Sequence, residues 1–201
     1  MNRLILASLG IILSGTIISQ EDFSVSKNQE SIILGGGCFW CIEAVFESLN
    51  GVQEVISGYA GGNIINPSYK NVCSGKTGHA EVVKVVFDKS QISLRQILYV
   101  FFSSHNPTTK DGQGVDIGSQ YRSIIIYKNE EQLNEINVVI HLLKSQYQNP
   151  IITEIIQTPI FYPAEVTHQD YYINNKYNRY CNSVIKPKVN SIKEKFEWVI
   201  K

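Results

Sequence analysis

Residues 34–51, LGGGCFWCIEAVFESLNG, constrain this chain more than any other stretch. Apolar ESIILGG reads as a short buried strand halted by glycines. Beyond it, Ile42, Val45, Phe46 and Leu49 recur at helical spacing, with Glu43 and Glu47 on the opposite side. Asn50-Gly51 closes that helix, as glycine does just past a helix end. The chain must therefore turn from strand to helix within a few residues, and Cys38 sits at the turn. The first helical turn aims unpaired N–H groups and the positive end of the helix dipole at whatever precedes it. A thiol there is expected to ionise more easily than a free cysteine and to act as a nucleophile. Phe39 and Trp40 add an apolar wall beside it.

The rest of the chain supplies enough apolar residues for one domain. Of 201 residues, 43% are hydrophobic, and 18 basic residues balance 18 acidic ones. No segment is strongly basic, which argues against a nucleic-acid partner. Residues 1–20 carry Arg3 and then an apolar run from Leu4 to Ile18, the layout of an export signal cleaved near Ser19 or, failing cleavage, of an N-terminal anchor. The expected location is accordingly the periplasm or cell envelope, where thiols need an external electron source.

Further strands are read at GVQEVISGYAGG, HAEVVKVVFD, YRSIIIY and PIITEIIQT. Helices are read at ISLRQILYVFFSSHNP, capped by Ser93 and stopped before Pro107, and at NEEQLNEINVVIHLLKSQY. AEVTHQDYY reads as a short helix, DGQGVDIGSQ as a long polar loop, and INNKYNRYCNS as an irregular, mobile segment. The elements intermix without strict βα alternation. The expected fold is α+β, a two-layer sandwich with a mixed or antiparallel sheet, flanking helices and long irregular loops.

Several chemistries compete for the cysteines. Cys38 and Cys41 have the spacing of a thioredoxin-like redox pair, although bulky aromatics stand between them and no βαβ run precedes them. Zinc lacks a second ligand pair, since Cys73 and Cys181 are solitary. HAE at His79–Glu81 matches half of a zinc-deaminase signature whose cysteine half is missing. His168 lies at a papain-like distance from Cys38, but Phe39 stands where that signature needs Trp.

Taken in order, GGGCFWC, GYAGG, NPSYKNVCSGKTGHAEVVKVVFD, HNPTT, QGVDIGSQYRS, TPIFYPAE and HQDYY resemble the A-type peptide methionine sulfoxide reductases. The resemblance covers residues 30–185 and leaves 186–201 as a C-terminal extension. It implies thiol-dependent reduction of the methionine S-sulfoxide, free or in proteins, through a sulfenic acid and then a disulfide. Cys38 would be the nucleophile, Phe39 and Trp40 the contacts of the substrate methyl group, and Glu81 the acid that protonates the sulfoxide oxygen. Tyr69 and Tyr121 would hydrogen-bond that oxygen, with Asp116 supporting them. Cys181, in a tail able to swing inward, is preferred over Cys41 as the resolving thiol, and a relay through both is open. Cys73 is read as packed and inert. His79, His105 and His168 are expected to brace the structure, and His141 to lie on the surface or in packing. No metal, nucleotide or flavin fingerprint appears, so no cofactor is expected. The implied partners are oxidised proteins, free methionine sulfoxide and a thioredoxin-like reductant, acting on a monomer.

Overall fold

A computed structural model describes residues 28–157 and 160–201. The expected export signal at residues 1–20 lies outside the described residues. The chain opens with β1 (Gln29–Gly35), α1 (Phe39–Glu47), β2 (Val52–Ala60), α2 (Tyr69–Cys73) and β3 (Ala80–Asp88). After α3 (Leu94–Ser104), two short strands, β4 (Gly112–Gln113) and β5 (Asp116–Ile117), form a separate hairpin. Next come β6 (Ile124–Tyr127), α4 (Glu130–Leu143), β7 (Glu154–Gln157), β8 (Tyr162–Pro163), α5 (Tyr171–Asn174) and α6 (Lys186–Lys195). The main sheet has six strands in the order β7-β6-β1-β3-β2-β8, antiparallel except for the β6–β7 pair. The mixed α+β expectation holds.

Strand alternation sorts side chains to the two faces of the sheet. Ile32, Leu34, Val83, Val85 and Phe87 join the large core that α1, α3 and α6 complete, whereas Ile33, Val82, Ile124 and Ile126 form a smaller cluster on the other side. α1 is buried nearly all round, and Glu43, read on the side opposite the apolar residues, is 0% exposed. The helix packs on β2 and β3, and only Trp40 and Glu47 at its two ends are part-exposed.

The helix starts follow their sequence signals. Ser93 caps α3 by accepting from the Gln96 N–H, and Gln96 reaches back to the Ser93 N–H. Asn129 caps α4 through the Gln132 N–H. The long polar loop after α3 is more ordered than its composition suggests, because β4 and β5 pair within it.

The C-terminal third departs from expectation. Residues 181–185 form a π-helical turn that leads straight into α6, and Cys181 is fully buried. The apolar residues Ile185, Val189, Ile192 and Phe196 recur at helical spacing behind the polar run and dock it on the core, so the segment is helical from Arg179 onward, while residues 175–178 are turn and bend as expected. Residues 186–201, set apart in the sequence as an extension, also hold the end of α1. The Asn50 N–H donates to the Val199 carbonyl, and the Lys201 N–H to the Ser48 carbonyl.

Two glycines shape the elbow between β1 and α1. Gly37 adopts φ +101°, which side chains rarely allow. A Cβ on Gly36 would lie 2.7 Å from Cγ of His105, whose ring occupies that space. His105 is held by Ser123 Oγ at 2.7 Å and the Phe101 carbonyl at 2.8 Å. Burial pushes it down to about 4, so it stands neutral beneath the elbow.

Candidate active site

Cys38 is the residue immediately before α1, and its side chain makes no capping bond. The helix's first N–H, that of Phe39, donates instead to Oε2 of Glu81 at 3.0 Å. Glu81 reaches it from β3, where it pairs with Tyr59 of β2 and is 1% exposed. Burial, and after it the charges of Asp116 and Cys41, push Glu81 up to about 8, opposed by the Phe39 hydrogen bond. Its carboxyl is therefore protonated at neutral pH.

The thiol does not behave as the helix-end argument expects. Cys38 is 6% exposed, and burial, the hydrogen bond with Cys41 and the Glu81 charge together push it well above the ordinary thiol range. The first N–H of the helix is already taken by Glu81, and burial dominates the sulfur, opposed only by the Tyr180 hydroxyl. Cys41 moves the other way, lowered first by the hydrogen bond from Cys38 and then by the charge of Lys188 on α6. In the resting protein Cys38 holds its proton, and Cys41 is the more acidic partner.

A second chain of contacts leads outward from Cys41. Its sulfur lies 3.7 Å from the Tyr180 hydroxyl, which donates to Oδ2 of Asp116 at 2.9 Å. Asp116, expected to support Tyr69 and Tyr121, hydrogen-bonds Tyr180. Cys181 is turned into the core, and its nearest thiol influence is Cys41.

Aromatic rings cluster around the two residues that follow Cys38. Trp40 and Tyr171 stack at 3.6 Å between ring centres and 7° between planes. His168 lies 5.6 Å from both Phe39 and Trp40 and 4.3 Å from Tyr69. Trp40 Nε1 and His168 Nδ1 are buried without a hydrogen-bond partner among the described residues. Burial holds the Tyr69 and Tyr121 hydroxyls above their ordinary range, and the Glu81 charge adds to both. Both phenols stay protonated and able to donate.

The remaining sequence expectations divide. His79 braces a loop, accepting at Nδ1 from the Gly62 N–H and donating from Nε2 to the Ile64 carbonyl. His141 is exposed on α4. His168 belongs to the ring wall, not to a loop brace. Cys73, expected to be packed, is exposed at the end of α2 and hydrogen-bonds Tyr69, because that short helix buries only Val72. Tyr180, Tyr171 and Glu43 were not singled out in the sequence, although HQDYY and the one-turn spacing from Trp40 to Glu43 pointed to two of them. Among the described residues no group of three His, Cys, Asp or Glu side chains could hold a metal.

The arrangement unites an oxidisable thiol pair, a neutral carboxylic acid and a cluster of aromatic rings. The family model for peptide methionine sulfoxide reductase matches residues 30–199. The chain belongs to that family. A peptide methionine sulfoxide reductase MsrA of Trichodesmium erythraeum (strain IMS101) is 52% identical over 169 residues, spanning 83% of this chain and 96% of the relative. The reduced form of Mxr1 from Saccharomyces cerevisiae superposes with a TM-score of 0.73 at 34% identity, covering 77% of this chain and 90% of that one. Mxr1 in complex with Trx2 matches at 0.52 and 25% identity, covering 72% and 85%. The peptidase alternative gains nothing from these matches to the reductase family. Nor does the site favour it, since the groups that set the Cys38 thiol are Cys41, Glu81 and Tyr180, not His168.

Proposed function

We propose that this chain reduces the S-sulfoxide of methionine, in proteins and as the free amino acid, with Cys38 as nucleophile and Glu81 as acid. The observation that carries this reading is the neutral Glu81 carboxyl held against the Phe39 N–H at the foot of Cys38. The methyl group of the substrate rests against Phe39 and Trp40, and the sulfoxide oxygen meets Glu81, Tyr69 and Tyr121.

Both Cys38 and Glu81 start protonated, which sets the order of events. Glu81 gives its proton to the sulfoxide oxygen, leaving the sulfur electrophilic. The carboxylate so formed takes the Cys38 proton as the thiol sulfur attacks. Attack forms a transient bond between the two sulfurs. It breaks with its electron pair left on the methionine sulfur as the hydroxyl leaves that sulfur and bonds to Cys38, so Cys38 becomes a sulfenic acid and methionine departs reduced by two electrons. Cys41 then attacks the sulfenic acid, forming the Cys38–Cys41 disulfide and releasing water.

Cys41 fits this step better than the tail cysteine preferred from the sequence. Its backbone N–H donates to the Cys38 carbonyl at 3.0 Å, which keeps the two residues within one helical turn, whereas Cys181 sits in a packed helical turn. Cys181 suits a second exchange, attacking Cys41, restoring the Cys38 thiol and leaving a Cys41–Cys181 disulfide. The reductant is a thioredoxin-like protein, consistent with the yeast relative seen in complex with Trx2. Export of the chain and action as a monomer complete the reading.

The test is one turnover without reductant. Without reductant the S-sulfoxide of N-acetylmethionine should yield at least one methionine derivative per protein, and up to two where Cys181 frees Cys38 for a second round, the R epimer none, and Cys38→Ser none from either. Turnover of both epimers alike, or product from Cys38→Ser, contradicts the reading.

A further inference from the structure

Glu43 is a fully buried carboxyl that the chemistry above does not use. It lies one helical turn after Trp40 on α1, and each of its oxygens holds a different element. Oε1 accepts from the Ser57 hydroxyl of β2 at 2.9 Å. Oε2 accepts from the Tyr171 N–H, the first residue of α5, at 2.9 Å.

That second bond replaces one that α5 cannot make for itself. Its N-cap residue, Asp170, stands in the left-handed region at φ +51° and forms no side-chain cap. A first-turn N–H of α5 is satisfied by a carboxylate from another helix. Tyr171 is also the residue whose ring stacks on Trp40. One side chain thus fixes the backbone of Tyr171 relative to the helix that carries Trp40. Gln169 grips the same strand from the other side of Asp170, bonding the Ser57 N–H and carbonyl at 2.9 and 3.0 Å. A carboxylate removed from water needs these donors to remain there.

We propose that Glu43 is a positioning residue for substrate binding: through the Tyr171 N–H it sets that ring against Trp40 and keeps the methyl-binding wall closed. This rests on the reading of Trp40 as part of the substrate recess. Reach, not charge, is the requirement. Glutamine keeps the reach, its oxygen accepting from Tyr171 while Ser57 turns to accept from its amide. Aspartate keeps the charge but falls one methylene short.

Steady-state kinetics with methionine sulfoxide and saturating dithiothreitol separate these. Glu43→Asp should raise KM roughly three- to tenfold, the range an aromatic contact is worth, with kcat unchanged within about twofold. Glu43→Gln should match the parent. Trp40 and Trp198 are the only two tryptophans, so in a Trp198→Phe background the emission of Trp40 reports the stack. It should shift in Glu43→Asp and not in Glu43→Gln. Should Glu43→Asp not fold, Ser57→Ala removes only a hydroxyl and is expected to raise KM about two- to threefold, the loss of one modest hydrogen bond. An unchanged KM in the variant that folds, or equal damage from glutamine and aspartate, overturns the proposal. Failure of the parent to form methionine would instead overturn the function on which it rests.

Discussion

The Phe39 N–H donates to Oε2 of Glu81 at 3.0 Å, so the first turn of α1 is closed by a carboxylic acid from β3 and not by the thiol that precedes it. One hydrogen bond places a neutral acid beside the nucleophile and takes from that nucleophile the helix end that would have ionised it. In the proposed mechanism activation then falls to the substrate, whose oxygen would draw the Glu81 proton and leave a base for Cys38.

Replacing Glu81 with glutamine tests the acid without removing the bond to Phe39, since the amide oxygen still accepts. Glu81→Gln should fold as the parent does and slow single-turnover methionine formation by about 10² to 10⁴, the usual worth of a positioned general acid. Circular dichroism and rapid quenching check the two halves.

The strand-to-helix elbow, the sheet strands and the capped helices were legible because apolar periodicity and capping residues act locally. Cys38, Glu81 and Asp116 were named from a resemblance; the Glu81 charge acts on Cys38 and the Asp116 charge on Glu81, while Asp116 bonds Tyr180 and not the tyrosines expected. The ionisation of Cys38 was not legible, because it depends on which group from another strand occupies the helix end. The burial of Glu43 was not legible for a similar reason: helical spacing assigns sides, but only tertiary packing says whether a side meets water. The NRYCNS stretch looked mobile because its polar residues hide the apolar ones that follow from Ile185 onward.

The order of the thiols predicts a disulfide map. After one turnover without reductant, the parent should contain a Cys41 disulfide, Cys38–Cys41 or its successor Cys41–Cys181, detected by peptide mass spectrometry. Cys181→Ser should still form Cys38–Cys41. Cys41→Ser should accumulate the Cys38 sulfenic acid, captured by dimedone. A direct Cys38–Cys181 disulfide formed at the parent's rate in Cys41→Ser would remove Cys41 from the path.

Gly36 offers a test of the elbow. A methyl group there meets the His105 ring at 2.7 Å, and that ring is pinned at both nitrogens. Gly36→Ala should cost about 1 to 3 kcal/mol of stability, as overpacking does, read from the urea midpoint.

Stability should also depend on pH in a stated direction. Glu81 and Glu47 are both raised in the folded protein to about 8 from 4.5, each first by burial. Between those values the folded state binds more protons than the unfolded one, so stability falls as pH rises from about 5 to 8. Their contribution is fully present below the unfolded value and lost above the folded one. Thermal midpoints across this window should decline in the parent and decline less in Glu81→Gln.

The central claim is that Glu81 supplies the proton. Single-turnover methionine formation measured from pH 6 to 10 tests it most directly. The account predicts an alkaline fall in the parent with a midpoint near 8, where Glu81 loses its proton, and the absence of that fall in the slower Glu81→Gln. The same fall in both proteins, or a rate that only rises as Cys38 ionises, would contradict it.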